Sequence, residues 1–217
     1  MRELVIAMDG PSGVGKSSTA RRVAQLLRLG YLDTGAMYRA VAVEYRRLGL
    51  KPEDTEAIGR LAAGLKLRIS TDPLAPRIFV NGRDVTDEIR DPAISAVVSQ
   101  VATVPEVRRV LTLRMRQIIA EHNRRIVVEG RDITTIVAPD ADVRLLLTAE
   151  PAVRVGRRAT ELGQASAQVT DSIVRRDRED SSVANFTEAA EGVTVIDSTH
   201  LNLDQVVAAV LELVPHD

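Results

Sequence analysis

The run Gly10-Pro11-Ser12-Gly13-Val14-Gly15-Lys16-Ser17 constrains this chain more than any other feature, because Gly, four residues, Gly, Lys, Ser is a phosphate-binding pattern that needs a strand before it and a helix after it. Both flanks are present. Leu4 to Met8 is apolar and of buried-strand length, and beyond the loop Ala20, Val23, Ala24 and Leu27 recur at helical spacing. Glycines let such a loop curl so that successive N–H groups converge on phosphate oxygens, and a helix starting at Lys16 adds the positive end of its dipole. Lys16 is then expected to bridge the β- and γ-phosphates of a nucleoside triphosphate, and Ser17 to hold Mg²⁺.

The rest of the chain repeats the alternation of strand and helix. Tyr31-Leu32 reads as a short strand, followed by a helix entered at Asp33-Thr34-Gly35 and running to Leu48. Ile126-Val127-Val128, Val143 to Leu147 and Val193 to Ile196 read as buried strands, and fully apolar strands between helices predict a parallel sheet covered on both faces. Between Leu65 and Arg90 the period changes to strict alternation, with Asn81-Gly82 as a hairpin turn, so a small antiparallel β insertion is expected there. A helix is expected around Ile94 to Val101. Another presents Val107, Val110, Leu111, Met115 and Ile118 on one face, and a last one turns Val206, Val207, Val210 and Leu211 inward. At 217 residues, without repeats or an evident linker, one folding unit is expected.

A triphosphate site needs a carboxylate near its metal, and in open parallel sheets functional groups gather at the carboxyl ends of strands. Glu129 directly follows Ile126-Val127-Val128. Asp33 competes for the role, and Asp9, which precedes the loop, suits a structural turn better. Arginines stand near the same ends: Arg39, Arg108, Arg131, Arg154, Arg157, Arg158 and Arg176. Arg131 lies two residues beyond Glu129. The i, i+3, i+4 spacing of Arg154, Arg157 and Arg158 puts three guanidinium groups on one helix face, a repulsive arrangement that an anion would relieve. His122, His200 and His216 are scattered, which argues against a histidine metal site or base.

A net charge of −1 offers no general attraction for nucleic acid, and no apolar stretch approaches membrane-spanning length, so neither partner is expected. The absence of cysteine excludes disulfides and thiolate metal sites; the cytoplasm is the expected compartment. A GTP-dependent switch would need a guanine-reading Asn-Lys-x-Asp motif, which the chain lacks.

Several longer motifs then carry a resemblance to a family. They are Leu32-Asp33-Thr34-Gly35-Ala36-Met37-Tyr38-Arg39, Asp84-Val85-Thr86-Asp87-Glu88-Ile89-Arg90, Ser99-Gln100-Val101-Ala102, Val128-Glu129-Gly130-Arg131-Asp132-Ile133 and Ile196-Asp197-Ser198-Thr199, with the glycine loop extended to Ser18. Over essentially its whole length the chain resembles the bacterial cytidylate (CMP) kinases. The resemblance implies an α/β core with a lid and a monophosphate-binding arm, in one domain over residues 1–217: core about 1–34, 122–150 and 190–217, arm about 35–121 with its β insertion at about 65–90, lid about 154–185. It implies ATP on Gly10 to Ser18, Mg²⁺ at Ser17 and, through water, Glu129, and catalytic charge from Lys16, Arg131, Arg154, Arg157 and Arg158. CMP or dCMP would face Thr34, Ser99, Arg108, Asp132, Arg176 and Asp180, with its phosphate on Arg39 and Arg131. Ser99 and Asp132 would accept from the cytosine amine. The enzyme would act as a monomer. In one departure, the family's arginine and Pro-Leu pair after Asp180 give way here to Ser181-Ser182-Val183-Ala184-Asn185-Phe186. A P-loop kinase of another nucleoside monophosphate or of shikimate is the competing reading.

Overall fold

The computed structural model describes residues 2–162, 170 and 186–215. Its main sheet is wholly parallel, in the order β2-β6-β1-β7-β8, where β1 is Leu4–Asp9, β2 Gly30–Asp33, β6 Arg125–Gly130, β7 Val143–Thr148 and β8 Thr194–Asp197. Side chains alternate across it as a two-residue period requires. Val5, Ala7, Leu32, Ile126 and Val128 join one core, beneath α2 (Thr34–Arg47), α3 (Thr55–Gly64) and α6 (Pro105–Glu121). Ile6, Met8, Val127, Leu145 and Leu147 join the other, with α1 (Lys16–Leu27) and the C-terminal helix α8 (Leu203–Glu212). Burial on both faces is why β1, β6 and β7 read as continuous apolar runs; β8, expected to be buried as well, lies at the sheet edge with only Ile196 buried, and the expected α/β class is the one observed.

Register then sets the chemistry. Glu129 pairs with Met8 and with Asp33, and Asp9 pairs with Gly130, so three carboxylates arrive level at one end of the sheet.

The insertion is antiparallel, as its alternation indicates: β3 (Leu67–Ile69), β4 (Ile78–Val80) and β5 (Arg83–Asp84). Asn81 and Gly82 adopt φ of 51° and 85°, the left-handed pair that a two-residue hairpin demands. Its connecting loop is tied to the core: Tyr31 N donates to Thr71 O at 2.8 Å, Arg21 Nε donates to Pro73 O at 2.9 Å, and the Thr71 hydroxyl meets His122 Nε2 at 2.7 Å.

Two elements differ from expectation. The helix α3 has no counterpart in the sequence reading, because its buried positions, Ile58, Gly59 and Ala62, are too few and too small to give a strong apolar period. The single helix expected around Ile94 to Val101 is broken into α4 (Pro92–Ser95) and α5 (Val98–Ala102), after a 3₁₀ turn at Glu88–Arg90. Val97 N bonds back to Ile94 O at 3.1 Å, an i−3 contact that tightens the turn and ends α4. Another helix, α7 (Pro151–Leu162), follows β7. Among the described residues no helix is long and apolar enough to cross a membrane.

Candidate active site

The loop between β1 and α1 is shaped by positions where a side chain could not stand. Gly10 has φ +151° and a Cβ there would lie 2.2 Å from Leu147 O; Gly13 has φ +81°, and its Cβ would meet Arg154 O at 2.6 Å. No side chain caps the start of α1 and no acid occupies its first turn, which leaves the helix end suited to an external anion. Lys16 folds back over the loop, its Nζ donating to Gly10 O at 2.7 Å and Pro11 O at 2.9 Å.

Glu129 stands beside this cradle. Its Oε1 accepts from Ser17 Oγ at 2.5 Å and from Tyr31 OH at 3.1 Å, while Thr34 Oγ1 donates to Glu129 O at 2.8 Å. Burial, then the neighbouring Asp33 charge, pushes the Glu129 carboxyl above the usual range, with Lys16 and the two hydroxyl donors opposing. Asp33 also caps α2, its Oδ1 accepting from Ala36 N at 2.9 Å. A serine hydroxyl against a buried carboxylate, with a second acid adding repulsion, is a hard-oxygen environment that a divalent cation would relieve, so these residues fit Mg²⁺. Among the described residues no three His, Asp or Glu side chains converge as a cage, and Mg²⁺ characteristically keeps waters and phosphate oxygens as its other ligands.

Asp9 does something else. Its oxygens accept from Ile133 N and Thr134 N, both at 2.8 Å, and from Thr134 Oγ1 at 2.6 Å, pinning the π turn Ile133–Val137 to the end of β1.

A cleft of about 500 Å³ opens from the cradle, and Arg39, Arg131 and Arg158 line it together with Lys16, Asp33 and Glu129. Arg39 Nε is buried without a partner; burial draws that guanidinium below its usual pKa, Asp33 and Glu129 oppose, and Arg158 and Arg131 add to the lowering. Arg131 Nη1 donates to Gly10 O at 3.2 Å, and its guanidinium carbon lies 4.4 Å from the ring centroid of Phe186. Arg154 Nη1 donates to Ser12 O at 3.2 Å. Arg157, expected on the same face as its neighbours, instead holds the backbone behind the loop. Its Nη atoms donate to Ser198 O at 2.7 Å, Ser198 Oγ at 2.9 Å, Leu201 O at 3.2 Å and Val14 O at 3.4 Å, bracing the cradle against the β8–α8 connection.

Asp132, next in the chain after Arg131, pairs with Arg108 through Oδ2 and Nη2. Burial raises the Asp132 carboxyl and Arg108 counteracts it. Arg108 also donates from Nη1 to Ala102 O at 3.3 Å and lies 6.0 Å from the ring centre of Tyr38, the neighbour of Arg39. The Ser99 hydroxyl is buried with no hydrogen-bond partner. Arg176, Asp180 and the departure at Ser181 to Asn185 lie outside the described residues. Tyr31 and Phe186 were not anticipated as site residues; Phe186 carried one hint, closing the run that departs from the family's pattern after Asp180.

Comparison with known proteins finds relatives along nearly the whole chain. The family model described as Cytidylate kinase matches residues 6–216. A cytidylate kinase of Cutibacterium acnes is 60% identical, the alignment covering 98% of this chain and 96% of that one; another, of Rhodococcus jostii, is 43% identical with 98% and 95% covered. A crystal structure of an uncharacterized protein from Eubacterium ventriosum shares the fold, with a TM-score of 0.52 at 10% identity over 97% of each chain. With a family match along nearly its full length and relatives of this identity, the chain belongs to the cytidylate kinase family.

Proposed function

We propose that this chain transfers the γ-phosphoryl group of ATP to CMP, and to dCMP, releasing ADP. The observation that carries the reading is one cleft that brings the Lys16 cradle and Glu129 together with Arg39, Arg131 and Arg158. Two polyanions need such a place, a triphosphate at one end and an acceptor phosphate held by arginines at the other. The curated relatives, named cytidylate kinases, favour CMP over shikimate or another monophosphate as that acceptor.

The attacking atom is a CMP phosphate oxygen, already ionised at neutral pH, so no side chain has to remove a proton. What the protein supplies is in-line placement and cancellation of charge. Lys16 exchanges the Gly10 and Pro11 carbonyls for β- and γ-phosphate oxygens. Ser17 and, through water, Glu129 would hold Mg²⁺, which when bound neutralises charge on the transferring phosphates. Arg39 and Arg131 fix the acceptor phosphate, and Arg154 and Arg158 on α7 close over the donor to exclude water. Ser99 and Asp132 accept from the cytosine amine, with Arg108 holding Asp132 in place.

A coupled ADP-release assay with Mg-ATP against CMP, dCMP, UMP, AMP, GMP, dTMP and shikimate tests the proposal. CMP and dCMP should give the highest kcat/KM. A higher value for any other acceptor, or no release above the ATP-only rate with CMP, would overturn it.

A further inference from the structure

We infer that Phe186 is a positioning residue for phosphoryl transfer, holding the Arg131 guanidinium by its ring face so that the N–H edge stays turned to the reacting phosphates. The inference rests on the assignment of Arg131 to that step made above. Two observations carry it. Phe186 is fully buried, 0% exposed, and among the described residues it is not part of either apolar core that flanks the sheet. Its ring packs on Arg131, at 4.4 Å from ring centroid to guanidinium carbon.

That separation is well inside the range for attraction between a cation and an aromatic quadrupole, and the attraction grows when the pair is removed from water. Arginine suits such stacking because its charge is delocalised over a flat group whose donors all lie in one plane. A ring pressed on the flat face restricts rotation of the guanidinium while leaving donors in that plane to meet oxygens edge-on. One of them already does so, Nη1 donating to Gly10 O at 3.2 Å, and the same carbonyl accepts from Lys16 Nζ at 2.7 Å. Gly10 O thus holds the two cations side by side, and Phe186 limits how far Arg131 can swing when a triphosphate competes for Lys16. Fixing a charged group in advance lowers the reorganisation needed during transfer, so its effect belongs on kcat rather than on ground-state binding.

The resemblance gives the pairing a setting. In the stretch after Asp180 the family's arginine and Pro-Leu pair give way to the run Ser181 to Phe186. Orienting Arg131 by an aromatic ring is a different way of organising cationic charge than adding another arginine.

The test is a double-mutant cycle on kcat with Phe186→Leu, Arg131→Ala and the combined variant, measured with KM for ATP and CMP and with thermal midpoints. Phe186→Leu keeps apolar bulk and removes the quadrupole. It should lower kcat about tenfold while changing either KM less than about twofold, and Phe186→Tyr should restore most of the rate. In the Arg131→Ala background the leucine substitution should cost less than about half as much in free energy. An equal loss in both backgrounds, or a kcat for Phe186→Leu within about twofold of wild type, would overturn the inference. If leucine lowers the thermal midpoint, Phe186→Met repeats the cycle under the same criteria. Failure of the underlying reading looks different: Arg131→Ala alone would then leave kcat unchanged.

Discussion

On the proposed assignment, the Lys16–Glu129 part of the donor end binds its own polar groups to one another, whereas two residues assigned to the acceptor, Ser99 and Arg39, each keep a buried atom without a hydrogen-bond partner. Lys16 is engaged by two carbonyls, and Ser17 and Tyr31 both donate to Glu129. Ser99 Oγ and Arg39 Nε, by contrast, are buried without partners. A ligand at the donor end must exchange internal hydrogen bonds for new ones, so its net gain comes from charge and alignment. A ligand at the acceptor end satisfies atoms that folding left desolvated, and an analogue lacking the right group leaves them so. Rate should thus reside mainly at one end and selectivity at the other.

The largest effect expected from breaking this contrast is at Lys16. Lys16→Ala should lower turnover by about a thousandfold or more with the fold intact. Activity within about threefold of wild type would remove Lys16 from the mechanism and the contrast with it.

Next is Asp132→Asn. It weakens the partner of Arg108 and puts amide hydrogens where an acceptor is needed, so kcat/KM for CMP should fall about a hundredfold. KM for ATP should stay within about twofold, and the preference for CMP over UMP should narrow. Equal losses for ATP and CMP would show that the two ends are not separable. Ser99→Ala sharpens the same point with a smaller number: KM for CMP should rise about tenfold. Because the hydroxyl has no partner in the free protein, its removal should leave the thermal midpoint unchanged or slightly higher. A drop of several degrees would mean that Ser99 serves the fold.

Legibility in the sequence follows the same division. The loop, its strand and its helix could be read from spacing because their function depends on backbone shape, and glycine positions encode backbone shape directly. Glu129 and Asp33 could be named from their places at strand ends, although only register shows that they repel each other across one site. The partners of Arg157 could not be read because helical spacing fixes a direction, not a partner; the carbonyls of Ser198 and Leu201 are brought to it by a distant turn. Phe186 over Arg131 had no periodic signature at all, being a contact between two segments far apart in the chain. The helix α3 went unread because small residues packing closely leave little apolar pattern.

The smallest expected effect concerns the joint between the ends. Asp9 belongs to the strand that feeds the phosphate cradle, yet it holds the turn that follows Asp132, so it links donor and acceptor through one carboxylate. Burial raises the Asp9 carboxyl above its usual value, against the hydrogen bonds from Thr134 and Ile133 and the charge of Lys16. The folded protein therefore holds this proton more tightly than the unfolded chain. Stability from this group is full below the ordinary carboxylate range and is lost as pH rises through the elevated folded value. Asp132, whose carboxyl is raised by burial and in part by the Asp9 charge, adds to the same trend. Asp9→Asn cannot titrate, so as pH rises above the ordinary carboxylate range its stability should fall less steeply than that of wild type, by up to about 1.4 kcal/mol per pH unit where Asp9 titrates. An overall offset from the lost acceptor, about 1 kcal/mol, is separate from that slope. If the turn also slackens, KM for CMP should rise while KM for ATP does not, which would make Asp9 the place where the two ends are coupled; parallel stability curves and an unchanged KM for CMP would reduce it to an ordinary buried acid.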